Sequence, residues 1–222
     1  MNDKYTISIV GGSGALGSGL AFRLARSGHN VLIGSRSRER AEACAQELNQ
    51  KIGGTNIVGV TNLEAAQQGE IVFLTVPYGN HGDTLNEIKD HVSGKIVVDV
   101  TVPLVPPRVA RVTLPPNGSA AVTTQVTLGE SVRVVSAFHN VAAVHLHDVD
   151  HVHECDVLVF GNDKEARSVV VDLADQMGLK AWHGGSIDNS VMGESLTPVL
   201  IFINKHYGVN GAGLRITGRP AA

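Results

Sequence analysis

The chain has 222 residues, 43% of them apolar and 18% charged, with a net charge of −3 and two cysteines. That is enough for one large α/β domain, or one domain with a small appendage, around a proper core. The small net charge gives no electrostatic case for nucleic acid or an anionic membrane, and no apolar run approaches a membrane span. Met1-Asn2-Asp3-Lys4 leads into the first strand without a signal-peptide pattern, and Cys44 and Cys155 lack metal or redox spacing. A cytoplasmic protein in a reducing compartment is expected.

Tyr5 to Val10 reads as a buried strand, and Leu16, Leu20 and Leu24 recur behind it at helical spacing. Between them lies Gly12-Ser13-Gly14-Ala15-Leu16-Gly17. Gly12 permits the tight turn, Gly14 lets the backbone approach a pyrophosphate, and Gly17 lets the helix pack close to the sheet. The free N–H groups of that helix then face the phosphates. His29 to Gly34 reads as the second strand, and Gly34 lies 22 residues past Gly12, where an NAD enzyme places a carboxylate on the ribose 2′-hydroxyl. Here the strand closes on Gly34-Ser35-Arg36 and the first carboxylate is Glu39. The Ser35 hydroxyl and Arg36 guanidinium suit a 2′-phosphate instead. With Ser37 capping the next helix, Arg40 brings a second charge from its first turn, so the bound dinucleotide is expected to be NADP(H). The plainer alternative is that Arg36, Arg38 and Arg40 only solvate a helix start.

Asn56 to Val60 and Ile71 to Val76 read as the third and fourth strands, with a helical segment, Asn62 to Gly69, between them. Gly79 to His91 is predicted as a helix with Leu85 and Ile88 inward, followed by strands at Lys95 to Val100 and Val132 to Phe138. Runs such as Ile96-Val97-Val98 imply burial on both faces, hence a doubly wound, Rossmann-type parallel sheet in an α/β fold. The Pro- and Gly-rich stretch Val102 to Gly118 reads as a long loop beside the crevice at the carboxyl ends of the strands. Beyond residue 145 the pattern is less regular, with a strand at Asp156 to Phe160, a helix at Lys164 to Met177, a strand at Lys180 to His183 and a final helix from Asn189 to Tyr207. The expected organisation is a dinucleotide-binding domain over 1–144 and a small C-terminal α/β domain over 145–222 that closes the acceptor cleft.

Strand ends supply the candidates for chemistry. Thr75-Val76-Pro77-Tyr78 closes strand four where a nicotinamide ribose would pass, or is a plain strand-ending turn. Asp99 reads best as a turn or cap carboxylate. His139 closes strand six toward the crevice, either to contact a second substrate or donate a proton, or as a structurally bonded histidine. His139, His145, His147, His151 and His153 fall within fifteen positions, but without cysteine or carboxylate ligands in familiar spacing a solvated or subunit-facing loop is expected, and no metal is assigned.

Gly-Gly-Ser-Gly-Ala-Leu-Gly from Gly11, Ile33-Gly34-Ser35-Arg36, Leu74-Thr75-Val76-Pro77, Val102-Pro103-Leu104-Val105-Pro106, Val135-Ser136-Ala137-Phe138-His139, and Asn189-Ser190 with Glu194-Ser195-Leu196-Thr197-Pro198 stand in one order along nearly the whole chain. Together they resemble the NADPH-dependent reductases of coenzyme F420, the 8-hydroxy-5-deazaflavin:NADP oxidoreductases. The resemblance implies reversible hydride transfer between NADPH and a deazaflavin ring stacked face to face, in a cleft between the Rossmann core and the small C-terminal part of a homodimer. It assigns Ser13, Leu16, Ser35, Arg36 and Arg40 to NADP, and Thr75, Val76 and Pro77 to its nicotinamide end. Val102, Pro103, Leu104 and His139 fall to the deazaflavin side, and Glu194 to Pro198, with Ser195, to the far wall. Tyr78 departs from the family's expected tryptophan, and Asp99 to Thr101 lengthen the entry to Val102.

Transfer between two rings needs positioning in a dry site and little else. Carbonyl reduction needs a general acid, which β-hydroxyacid dehydrogenases supply as a lysine on a C-terminal helix; Val191 to Asn204 contains no lysine. Two other readings stay open: an NADPH-dependent reductase of a flavin, imine or keto acid, and a non-catalytic NADP sensor.

Overall fold

The computed structural model describes residues 4–218. Its first half alternates β1 (Thr6–Val10), α1 (Ala15–Arg26), β2 (Asn30–Ser35), α2 (Arg38–Ile52), β3 (Ile57–Thr61), α3 (Asn62–Gln68), β4 (Ile71–Leu74), α4 (His81–Ile88) and β5 (Ile96–Asp99). The second half holds α5 (Ala120–Leu128), β6 (Arg133–Ser136), α6 (Ala143–Leu146), β7 (Val157–Gly161), α7 (Lys164–Gln176), β8 (Ala181–Gly185) and α8 (Ser190–Tyr207). The eight strands form one sheet in the order β3-β2-β1-β4-β5-β6-β7-β8. The first six run parallel in the doubly wound arrangement, β7 pairs antiparallel with β6, and β8 runs parallel to β7. The sheet therefore continues unbroken across the expected 144/145 boundary.

Alternation along the strands divides the core in two. Ile7, Ile9, Val31, Ile33, Phe73 and Val98 meet buried residues of α1, α2 and α7, whereas Val10, Leu32, Val72, Leu74, Val97 and Val134 meet those of α3, α4 and α5. Both faces are dry, as continuous β-branched runs require. The long loop between β5 and α5 is free of strand and helix up to the Ser119 cap.

Three elements differ from expectation. The helix over Gly79 to His91 is broken into a 3-10 turn (Tyr78–Asn80), α4 and a second 3-10 turn (Lys89–His91). Helix α5 was given no signal by AAVTTQVTL, whose threonines and valines are indifferent helix formers. It forms because the Ser119 hydroxyl accepts the Val122 N–H at 3.0 Å and because Ala120, Ala121, Thr124 and Leu128 are buried. The third is α6, a single turn whose Leu146 is fully buried in the core and packs beside Gly19 of α1. Pro198 lies inside α8.

Candidate functional site

The start of α1 faces a cavity of about 310 Å³ at the carboxyl ends of β1, β2 and β4. No side chain caps the helix at Gly14, so the donors of its first turn have no intrahelical acceptor and its positive dipole end is open. A Cβ on Gly14 would meet nothing nearer than the Gly11 carbonyl at 3.5 Å, so packing does not demand glycine there; the open space beside the backbone does fit an approaching phosphate. Gly17 is different: its Cβ would lie 2.7 Å from Gly12 Cα and 2.8 Å from Thr75 Oγ1, so its absence sets how closely α1 approaches the sheet. The Gly11 N–H donates to Asn62 Oδ1 at 3.1 Å, and φ at Gly11 is 78°, which turns the chain into the loop.

Of the residues assigned to the dinucleotide, Ser13, Gly14, Ser35, Arg36, Arg40, Val76 and Pro77 line this cavity. Gly12 and Gly17 do not line it but pack behind it, Gly12 against Ile9 and Ile33 and Gly17 against Gly12 and Thr75, and Thr75 is turned back, its hydroxyl donating to the Val10 carbonyl at 3.0 Å. Leu16 does not line the cavity; it packs against the α1 side of the core. Asn62, Asn80 and Thr84 line it and carried no motif in the sequence; only the position of Asn62 directly after a strand marks it.

The three arginines after β2 separate by partner. Arg38 forks onto both carboxylate oxygens of Glu64 and approaches Glu42 at 3.9 Å. Backbone and hydroxyl donors of Thr61, then Arg38, hold the Glu64 carboxyl down at about 2. Among the described residues Arg36 and Arg40 make no ion pair, and both face the cavity. Ser37 caps α2 by accepting the Arg40 N–H and donates to Glu39 at 2.7 Å, which occupies that carboxylate with the cap. Two guanidinium groups without an ion pair, lining a cavity beside two helix starts, present a surface on which an anion can be held.

The strand ends beyond are lined by buried polar groups. Asp99, expected as a simple turn carboxylate, is fully buried. Its Oδ1 accepts the Thr101 N–H at 2.8 Å; its Oδ2 accepts the Thr124 hydroxyl at 2.6 Å and faces His81 Nε2 at 3.0 Å. Burial opposes ionisation, yet the bond and charge of His81, with the Thr101 and Thr124 donors, hold the Asp99 carboxyl below the usual carboxylate range. His139 follows Phe138, a non-glycine residue at φ 65°, and this turn folds its Nε2 back to 3.1 Å from Ser136 Oγ. Burial pushes His139 down to about 4, so the ring is neutral at physiological pH.

Helix α8 docks beside His139 and the start of α5. Thr197 Oγ1 donates to the His139 carbonyl at 2.7 Å, and Gly193 permits the approach, since a Cβ there would lie 3.1 Å from His139 Nδ1. Glu194 is buried and accepts the N–H groups of Ala120 at 2.7 Å and Ala121 at 3.0 Å, at the start of α5. Burial outweighs those two donors and pushes its carboxyl up to about 8. Ser195 is half-buried beside it, and Val102, Pro103 and Leu104 follow directly on the Asp99–Thr101 turn.

His145, His147, His151 and His153 are half-buried. His145 and His151 stack with centroids 4.0 Å apart, and they line a separate cavity of about 470 Å³ with His153 and Cys155. His147 packs on Phe22 and lies 3.2 Å from Ser18 Oγ. Among the described residues no three His, Cys, Asp or Glu side chains are arranged to hold a metal ion, and no helix is long and apolar enough to cross a membrane.

Residues 6–103 match the family model described as NADP oxidoreductase, coenzyme F420-dependent. The chain is 42% identical over 219 residues to the F420-dependent NADP reductase of Methanocaldococcus jannaschii, covering 95% of this chain and 97% of the relative. It is 37% identical over 221 residues to the protein of the same name from Methanothermobacter thermautotrophicus, covering 96% and 95%. The crystal structure of a candidate F420-dependent NADP reductase from Arthrobacter sp. FB24 superposes with a TM-score of 0.84 at 24% identity, over 96% of this chain and 100% of that one. That likeness carries the fold alone.

Proposed function

This chain belongs to the coenzyme F420-dependent NADP oxidoreductases, and on that premise we propose that it passes a hydride between NADP(H) and coenzyme F420. The observation that carries the reading is the pair of unpaired guanidinium groups, Arg36 and Arg40, beside an uncapped helix start, with the nearest carboxylates engaged by Ser37 and Arg38. That surface favours a 2′-phosphate and offers a 2′-hydroxyl no carboxylate acceptor. In the direction of F420 reduction, hydride leaves the dihydronicotinamide for the central ring of the deazaflavin and one proton is taken up from solution.

Gly12, Gly14, Gly17 and Ser13 cradle the pyrophosphate, while Ser35, Arg36 and Arg40 grip the adenosine phosphate. Thr75, Val76 and Pro77 flank the nicotinamide, with Leu16 shaping the cradle from the core side. Val102, Pro103, Leu104, His139 and Ser195 hold the deazaflavin, the neutral His139 by contact and orientation. Residues 1–144 thus carry the dinucleotide and 145–222 close the acceptor side. A homodimer fits the exposed Met192, Val199 and Phe202 along α8, and a cytoplasmic home fits the free Cys44 and Cys155. Sedimentation velocity tests the first.

The decisive experiment mixes NADPH with oxidised F420, a riboflavin-type flavin and a panel of keto acids in parallel, and follows NADPH oxidation. Turnover with F420 is expected. Turnover with flavin or keto acid and none with F420 overturns the reading in favour of another acceptor, and saturable NADPH binding with no acceptor reduced makes the protein a sensor.

A further inference from the structure

Asp99 occupies the middle of the sheet's carboxyl edge, in register with Leu74 on β4 and Ser136 on β6. The three chain segments proposed to hold the two rings depart from those three residues: Thr75–Pro77 follows Leu74, Val102–Leu104 follows the Asp99–Thr101 turn, and His139 follows Ser136. One carboxylate sits where the two walls of the cleft diverge. Its partners come from the helices behind: His81 is the first residue of α4, and Thr124 is in the middle of α5. His81 Nε2 also lies 3.0 Å from Thr124 Oγ1, which closes the three side chains into a ring. Helix α5 is held a second time at its start by Glu194, from the same stretch of α8 as Ser195.

None of the three side chains lines the dinucleotide cavity, although Asn80 and Thr84, on either side of His81, do. They therefore act through what they hold. A buried carboxylate with three directional donors has one satisfied geometry, and losing a donor leaves charge unpaired in a dry site, so the strand ends shift to recover it. Ring-to-ring transfer responds steeply to such shifts, since a misplacement of about 1 Å costs on the order of 100-fold.

We propose that His81 and Thr124 are positioning residues for hydride transfer, which through Asp99 fix the spacing between the Thr75–Pro77 wall and the Val102–Leu104 wall. The proposal rests on the assignment of those two walls to nicotinamide and deazaflavin. The test is Thr124→Val, which keeps the shape and removes the hydroxyl, beside Thr124→Ser, which restores it. Thr124→Val is expected to lower kcat for F420 reduction about 10-fold, to leave the Kd for NADPH within about twofold, and to raise the primary isotope effect with NADPH deuterated at both C4 positions. Thr124→Ser should recover kcat to within about threefold. A folded Thr124→Val with wild-type kcat and isotope effect, whatever its melting temperature, overturns the proposal, as does a parallel collapse of NADPH affinity. Should Thr124→Val fail to fold, His81→Gln, which keeps a donor near the Nε2 position, beside His81→Leu, which does not, decides by the same readouts. The wall assignment fails separately: wild-type protein that reduces a flavin or keto acid with NADPH but not F420 removes the deazaflavin wall, whatever the Thr124 variants show.

Discussion

Where β1 and β2 end, the groups turned to the cavity are the uncapped start of α1 and the exposed tips of Arg36 and Arg40. Where β5 and β6 end, the polar groups are side chains sunk into the protein, each tied to another: Asp99 to His81 and Thr124, Glu194 to α5, His139 to Ser136. The first is assembled around one βαβ unit by local rules of turn, cap and dipole; the second is assembled from five elements, α4, β5, α5, β6 and α8. Under the proposed function the first reads charge in contact with solvent and the second holds a distance, its rigidity coming from satisfied buried polarity.

The sharpest way to break the dinucleotide half is Gly17→Ala, because the new Cβ would meet the Gly12 backbone at 2.7 Å and Thr75 Oγ1 at 2.8 Å. Fluorescence titration should show NADPH affinity falling on the order of 100-fold in a folded variant; wild-type affinity means the cradle is elsewhere. Next comes Arg36→Ala, expected to weaken NADPH roughly 10- to 100-fold in calorimetry while NADH changes less than about threefold, which separates phosphate reading from general attraction.

The acceptor half is sharpened by pH. With Glu194 raised to about 8 from the ordinary 4.5, its contribution to stability is complete below 4.5 and is lost as pH rises through 8. The melting temperature of the wild type should fall between pH 6 and 9 by on the order of 2–4 °C more than that of Glu194→Gln, which cannot ionise. Equal slopes would show that Glu194 is already charged at pH 6. The smallest effect belongs to Ser37→Ala, which deletes the α2 cap at a cost of about 1 kcal/mol and leaves NADPH preference over NADH intact. A lost preference would make the cap, not Arg36, the discriminating feature.

The contrast also explains which parts were legible beforehand. Gly12, Gly14, Gly17, the missing carboxylate after β2 and the Ser37 cap are all short-range signals, and six parallel strands follow from β-branched runs buried on both faces. Leu16 packs on the core and not in the cavity, because a resemblance transfers positions without saying which way a side chain turns. Asp99 read as a turn residue because its Thr101 bond is local, whereas its bonds to His81 and Thr124 cross 18 and 25 residues. Helix α5 was missed because its own composition is neutral; Ser119 and a carboxylate 74 residues from Ala120 hold its first turn. Apart from the Ser119 cap, no window around it contains that information.

Phe138 joins two tasks in one residue. Its left-handed turn aims His139, and its ring is wedged in the core 5.8 Å from that of Phe73. Reorienting the histidine therefore means repacking the interior, so the aim of the proposed acceptor side is inherited from the centre of the molecule and not from a pliable surface segment. As the interior loosens on warming, the enzyme should lose its aim before it loses its grip: coupling between the two rings fades while the adenosine end remains occupied.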